Sequence, residues 1–537
     1  MHRFVALCGE EKKHKKIYLH FTPDGKKFRQ VLWGDWLQID TDDPNVPDDW
    51  LKVLWAQGKD KNGVQLAPIE AYILEEHTSR DRPLEMIFLD VGQGDSAILI
   101  SPERGTDERI MIIDAGIGDN LDRYLNARFK YKTNGFHIHA AIVTHPDEDH
   151  YGGFRPVFGN GNLTFDHIYH NGLGERPVDA GKGSGHASRM GATAKDPVNK
   201  KTYHTALLET LADTTALYGG ALPSGTGQIG NMEFPQLMNT ALTNLPNADI
   251  SMLSTAHGIE VDNRTWMPGF SPEDDQGFTI EVLGPVVEPD AQGRARLRRL
   301  GDNGKTKNGH SVLLRLQFGR FSVMFGGDLN SNAEKFLLQH YGGGLDNWPT
   351  KNEHRQAMIT SARHWLQSDL LKVCHHGAAD VTDEFLQAVN PVAFIISSGD
   401  EEGHVHPRPD LLGRLGRNGR GFAPLLLSTE LQRSTRERED VKDRVQVEKG
   451  VATLASTLGD RTADENKRLK AQDAIADALR RLARTNVSVY GSIHVKTDGQ
   501  TLIVAFRIEV DSLTKRWHYY EYQQDVNGTL VPLHEVA

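Results

Sequence analysis

Ala140-Ala141-Ile142-Val143-Thr144-His145-Pro146-Asp147-Glu148-Asp149-His150-Tyr151-Gly152-Gly153 is the stretch on which the reading of this chain turns. Its apolar start predicts a buried strand, and the Gly pair at its end predicts a tight turn. Between them, His145, Asp147, Asp149 and His150 place four metal-competent side chains within six residues. Strand ends are where a layered α/β domain presents its ligands, so these imidazoles and carboxylates are expected to converge. Such a mixture suits zinc, manganese or iron, and a set this dense suits two ions better than one. The bland alternative, a charged surface turn, has no need of a four-residue apolar strand in front of it.

Outward from this segment, the same pattern recurs. Met86-Ile87-Phe88-Leu89-Asp90-Val91 reads as a buried strand, Gly92-Gln93-Gly94-Asp95 as a turn, and Ser96 to Ile100 as the returning strand. Ile110-Met111-Ile112-Ile113 ends in Asp114-Ala115-Gly116. Phe321 to Phe325 runs into Gly326-Gly327-Asp328, and Leu370 to Val373 into Cys374-His375-His376-Gly377. The strand Val392 to Ser398 is followed by Gly403-His404-Val405-His406-Pro407. Helices are predicted over 120–130 after a candidate cap at Asp119, over 203–218, over 332–340 after Asn330 or Ser331, and over 383–389. Alternating strands and helices predict an α/β layered domain.

This domain is expected to span 84–510, with insertions at about 175–277, where Asp179 to Ser188 reads as flexible, and at about 415–485. In the second insertion Leu469, Ile475, Leu479 and Leu482 predict an amphipathic helix from Asp464 to Arg484. A hairpin turning at Asp498-Gly499 closes the domain, and 511–537 is read as a tail. Ahead of the domain, residues 1–80 form a small β module that loosely resembles a bacterial SH3-like barrel. Its Trp33, Trp36, Trp50 and Trp55 fit a recognition surface less well than a core.

Of the 537 residues, 38% are apolar and 25% charged, as in ordinary globular proteins, and the net charge is −11. The surface as a whole therefore does not attract nucleic acid; a polyanion would need metal ions or a local basic patch. Two cysteines, Cys8 and Cys374, make no disulfide framework, and the N-terminus lacks a signal-peptide core. No apolar stretch is long enough for a membrane span, so a cytoplasmic address without membrane contact is expected.

Taken together, Leu89 to Ser96, Ile113 to Gly116, Thr144 to Gly153, Asn308 to Leu313, Gly326 to Asp328, Lys372 to Gly377, His406-Pro407 and Thr497 to Gly499 resemble the metallo-β-lactamase superfamily, and within it the hydrolase domain of ComEC-type competence proteins. The resemblance implies an αββα sandwich holding two divalent metal ions, zinc or manganese. By motif, His145 and Asp147 would hold the first ion and Asp149 and His150 the second. Asp328 would bridge them, and one of His375 and His376, with His376 favoured, would complete the second site. Asp114 would orient a ligand imidazole, while Asp90 and Asp95 would support the site. Asp149 would take the proton of the attacking water, and His406 or His404 would protonate the leaving oxygen or bind phosphate.

The sequence departs from the family in two places. Asp147 stands where the broader superfamily has His, as in the ComEC branch, and the isolated third-motif His has no clear counterpart; His170 is the candidate. ComEC's membrane channel is absent, so DNA uptake does not carry over. Arg294, Arg296, Arg298, Arg299 and Lys307 before the Ser311 strand, with Arg408 after His406, are candidates for a phosphate-binding rim. The leading expectation is a metal-dependent phosphodiesterase or nuclease acting on nucleic acid or a nucleotide. Alternatives are a hydrolase of a small ester, lactam or thioester, and an adaptor with a vestigial site that binds a protein partner through the β module.

Overall fold

The computed structural model describes the chain except residues 8–15, 42, 58–65, 93, 105–106, 177–189, 224–228, 230–231, 400–405, 422–423, 430–448, 450–451, 454–455, 458–464, 471–472, 474–490, 508–511, 526–529 and 537. Cys8, Gln93, the 179–188 stretch, His404 and most of the expected 464–484 helix lie outside the described residues; within that helix, 465–470 are helical.

Strands with no polar face, such as Ile110–Ile113, must be covered on both sides. Here Met111 and Ile113 face a second sheet, while Ile110 and Ile112 face a layer of helices. The resulting architecture is mixed α/β, with two sheets sharing a core and helices outside each. The ten-stranded sheet runs Asp249–Met252, Leu163–His170, Phe136–Val143, Ile110–Ile113, Ala97–Ile100, Leu84–Phe88, Ile493–Thr497, Thr501–Arg507, Trp517–Gln524, Leu530–Val536. The eight-stranded sheet runs from Ile259–Val261 through Arg264–Trp266, Phe278–Gly284, Leu313–Phe318 and Phe321–Phe325 to Leu370–Lys372, Ala393–Ile396 and Leu425–Ser428. Phe88, Ile142, Leu314, Val323 and Leu370 are among the residues that join the two faces. Each such buried aliphatic or aromatic side chain contributes about 1.5–3 kcal/mol.

Two runs of parallel strands decide where chemistry can sit. Ile110–Ile113, Phe136–Val143, Leu163–His170 and Asp249–Met252 are parallel in one sheet. Phe321–Phe325, Leu370–Lys372, Ala393–Ile396 and Leu425–Ser428 are parallel in the other. Their carboxyl ends meet at one edge, where Val312 N–H donates to the Thr144 carbonyl at 2.9 Å and links the sheets.

Several expectations are revised. Residues 511–537 are no tail: the aromatic-rich strand Trp517–Gln524 and the strand Leu530–Val536 extend the large sheet. The helix expected over 203–218 begins only at Leu211, because Thr202–His204 is pulled into a small sheet with Leu297–Arg298. The Thr210–Asp213 capping box marks the true start. The first 80 residues form a seven-stranded sheet with its own core. In it Trp33 and Trp50 are buried, whereas Trp36 is 50% exposed. Leu32 and Trp33 dock this module onto Ile503, Ala505 and Tyr519 of the large sheet. No described helix is long and apolar enough to cross a membrane.

Asp328 is followed by the helix Ser331–Tyr341, capped by the Asn330 side chain. The fully buried Glu334 of this helix accepts the Thr382 N–H at 2.5 Å, tying the Asp328 loop to the segment after His376. Burial, opposed by that hydrogen bond, pushes its pKa from 4.5 up to about 8. Across this window the folded chain keeps a proton that the unfolded chain has released, so stability falls as pH rises and levels off above pH 8. Glu334→Gln is expected to remove a slope of up to about 1.4 kcal/mol per pH unit. In urea melts the variant should gain on the parent steadily from pH 4.5 to 8. A constant difference between the two would refute the raised pKa.

Candidate metal centre

At the joined edge, each parallel strand delivers a polar side chain. Ile110–Ile113 leads to Asp114, and Phe136–Val143 leads to Thr144, His145 and the helical turn Glu148–Tyr151. Phe321–Phe325 leads to Asp328, and Leu370–Lys372 to His375 and His376. Asp95 enters from the turn before Ala97–Ile100, its N–H donating to the Asp149 carbonyl at 3.2 Å. That approach dictates Gly94: at its φ of +105° a Cβ would lie 1.9 Å from the Asp149 carbonyl oxygen. Asp114, His375 and His376 are non-glycine residues with φ between +52° and +58°, an uncommon conformation gathered at one place.

Hydrogen bonds fix the imidazole tautomers. Thr144 Oγ1 donates to Asp114 Oδ2 at 2.7 Å, and Ser311 Oγ donates to the Asn308 carbonyl at 2.7 Å. Both hydroxyls can therefore only accept from His145 Nδ1, which lies 3.2 and 3.3 Å away. His150 Nδ1 donates to Asp114 Oδ2 at 2.8 Å, and His376 Nδ1 faces Asp95 Oδ1 at 3.1 Å and the Ser397 carbonyl at 3.2 Å. All three rings thus use Nδ1 as a donor and turn Nε2 inward, where the neutral ring presents a lone pair. Those three Nε2 atoms are buried and make no hydrogen bond, as is Asp328 Oδ1.

The inward atoms converge. Ligand atoms of His145, His150 and Asp328 lie within 4.8 Å of one another, as do those of Asp149, His150 and His376, and those of Asp95, Asp328 and His376. His150 Nε2 is 3.2 Å from Asp328 Oδ1; His376 Nε2 is 3.3 Å from Asp328 Oδ2 and 3.4 Å from Asp149 Oδ2. Asp147 Oδ2 is 3.4 Å from His145 Nε2.

Five carboxylates (Asp95, Asp114, Asp147, Asp149 and Asp328) face two ammonium groups. Lys307 touches Asp147, and Lys372 touches Asp95. Burial alone would raise the Asp147 and Asp149 pKa values, but the histidines beside them outweigh it. Asp147, helped by Lys307, falls to about 2, and Asp149, helped by His376 and His150, falls well below its ordinary value. Burial likewise opposes protonation of His376, yet Asp328 and Asp149 hold its pKa up to about 10. The surroundings favour positive charge strongly enough to overcome desolvation. Buried lone pairs from imidazole and carboxylate around a carboxylate-rich centre fit a metal ion.

Of the expected ligands, His145, Asp149, His150, Asp328 and His376 come together, with Asp147 beside His145. His375 is more peripheral: Nε2 is 3.9 Å from Asp328 and its side chain is 31% exposed, so His376 is the better placed of the pair. Asp114 lies against the His150 ring and Asp95 against the His376 ring. Asp90 takes the N–H groups of Gly92 and Gly491 at 3.2 Å, a turn-holding role, and belongs to none of the ligand groups among the described residues. His170 also stands outside those groups, and its Nδ1 accepts the Gly172 N–H at 3.0 Å. The His406 ring lies 6.0 Å from that of His375.

The basic rim is largely neutralised. Arg294 pairs with Asp290, Arg296 with Asp196, and Arg298 with Glu288, while Arg299 donates to the Gly301 carbonyl. Lys307 alone among them reaches the centre; Arg408 is half-exposed, 3.7 Å from Asp410. Thr144, Ser311, Asn308 and Lys372 were not singled out from sequence. Asn308, with its amide nitrogen facing Asp147, donates there at 2.8 Å. A lysine buried at the end of an apolar strand was the available signal for Lys372. Compared with known proteins, this chain matches no protein-family model and no curated sequence.

Proposed function

We propose that this chain is a metal-dependent phosphodiesterase built on the metallo-β-lactamase plan, with an SH3-like module in front. The observation that carries it is the convergence of the His145, His150 and His376 Nε2 lone pairs on Asp328 and Asp149. His145, Asp147, His150 and Asp328 would hold one ion and Asp149, His376 and Asp328 another, which moves His150 from the second ion, where the motif put it, to the first. Bound there, divalent ions supply a water reactive near neutral pH and positive charge for phosphoryl oxygens.

The chain's own groups then divide the remaining work. Asp114, Thr144 and Ser311 hold the tautomers. Asp149 stays ionised and takes the proton of the attacking water at its carboxylate. Lys307, at the rim beside Asp147, meets a phosphate oxygen. His406, beside His375, delivers a proton to the leaving oxygen.

A second reading, a small ester, lactam or thioester, draws support from the carboxylate partners of Arg294, Arg296 and Arg298, which leave little free positive charge for a polymer. The test is metal content of the purified chain, together with hydrolysis of bis(p-nitrophenyl) phosphate, single- and double-stranded DNA, and RNA, with manganese, zinc or EDTA. Bound metal and EDTA-sensitive cleavage are expected. Metal without any phosphodiester turnover would shift the assignment to the small-molecule reading, and no metal uptake would sink both.

A further inference from the structure

A cavity of about 390 Å³ opens on the opposite side of the ten-stranded sheet from the inter-sheet core. Ile493, Val495 and Phe506 face that core, so the pleat turns their strand neighbours His494 and Arg507 outward. Arg507 is registered directly opposite Trp517 on the next strand. The helix Asn120–Phe129 contributes Arg123 and Tyr124 to the lining. Arg516 completes it, its backbone N–H held by Gln30 Oε1 of the N-terminal module at 2.7 Å.

Asp90 is the one carboxylate among the residues that line this cavity, against Arg123, Arg507 and Arg516. Burial, then Arg29 and Arg507, lower the Arg516 pKa to about 10 against the opposing pull of Asp35. The nearby carboxylates are committed elsewhere. Glu85 is held by Arg128 at 3.0 Å, His494 at 3.2 Å and Lys496 at 3.3 Å. Asp35 accepts the Leu32 N–H at 2.9 Å and faces Lys496 at 3.6 Å, and Asp90 accepts the two backbone N–H groups described above. Arg123 pairs with Asp119 at 2.9 Å, but among the described residues neither Arg507 nor Arg516 makes an ion pair. Crowding guanidinium groups without a counter-charge is unfavourable, and a bound anion reverses that sign.

We propose that this cavity is a binding site for a small phosphorylated ligand, with phosphate on Arg507 and Arg516 and the rest of the molecule against Trp517. The guanidinium fork matches phosphate geometry, and the volume falls in the range of small-molecule sites, about 300–1,000 Å³. A duplex would not enter it. The site is separate from the metal centre and independent of the activity assigned there.

Calorimetric titration of the full-length chain with pyrophosphate and with ADP, each with and without EDTA, tests the proposal. Stripped of metal, the carboxylate-rich centre repels both probes, so binding that persists in EDTA belongs elsewhere. Saturable binding in EDTA is expected, weakened about ten- to hundredfold by Arg507→Gln or Arg516→Gln. Arg507 is exposed, so its replacement does not threaten the fold, and it stands as the check should Arg516→Gln disturb the Gln30 contact. Failure of both probes to saturate in EDTA, or affinity unchanged in both arginine variants, would overturn the site.

Discussion

Asp328→Asn is expected to lower metal-dependent phosphodiester hydrolysis by about 10²- to 10³-fold and to reduce bound metal in parallel. Its two carboxylate oxygens are divided between the two halves of the centre, one 3.2 Å from His150 Nε2 and the other 3.3 Å from His376 Nε2. No other carboxylate among the described residues stands in ligand groups with both His145 and His376. An amide keeps the volume and offers one oxygen in place of two, and it removes the charge that offsets burial of both imidazoles. Asp328→Ala goes further, leaving two buried imidazoles without their partner, and breaking a buried pair of this kind costs about 3–5 kcal/mol. The asparagine variant is therefore the informative one, with circular dichroism confirming that it folds. Metal analysis and kcat/KM on bis(p-nitrophenyl) phosphate should fall together. Unchanged activity in a folded Asp328→Asn variant would remove the bridging role and the two-ion reading with it.

How much of this was legible in the sequence depends on the separation between partners. His145, Asp147, Asp149 and His150 follow their strand within a few residues, so local pattern sufficed. Asp328 and His376 were found because each ends its own apolar run. Lys372 and Asp95 are 277 positions apart, and nothing near either announces the contact. The arginine stretch misled for the same reason. Arg296 reads as unpaired until the fold brings Asp196 to 2.7 Å and lays the guanidinium over Tyr203. Tyr203 and His204 failed as the start of a helix because Thr202–His204 lies between two strand partners, Thr193–Lys195 just before it and Leu297–Arg298 almost a hundred residues later. Tertiary pairing overrode local propensity there. His170 was placed correctly at a strand end, yet its ring is turned to the Gly172 N–H, an orientation that residue type and spacing do not encode. Trp517 to Tyr522 is rich in aromatic residues, a strand signal that reading it as a tail passed over.

Asp114→Asn is expected to weaken metal binding at the group formed by His145, His150 and Asp328 by about 10- to 100-fold while leaving the fold in place, although Asp114 belongs only to the separate group it forms with Asp95 and His150. Its φ of +58° is one that asparagine tolerates well, so the backbone need not move. The oxygen that accepts the Thr144 N–H at 2.8 Å can remain an oxygen. The other position, 2.7 Å from Thr144 Oγ1 and 2.8 Å from His150 Nδ1, then becomes an amide nitrogen that donates. His150 Nδ1 must now accept, so its proton moves to Nε2 and points at Asp328 in place of the lone pair. Metal binding then has to displace that proton or break the new hydrogen bond. Competition with a chromogenic chelator measures the affinity directly, and saturating metal should restore much of the lost activity. The affinity should also fall more steeply as pH drops than in the parent, because the ring proton competes with the ion. Parent-like metal affinity in Asp114→Asn would show that His150 does not ligate through Nε2, and would require a different assignment for the whole centre.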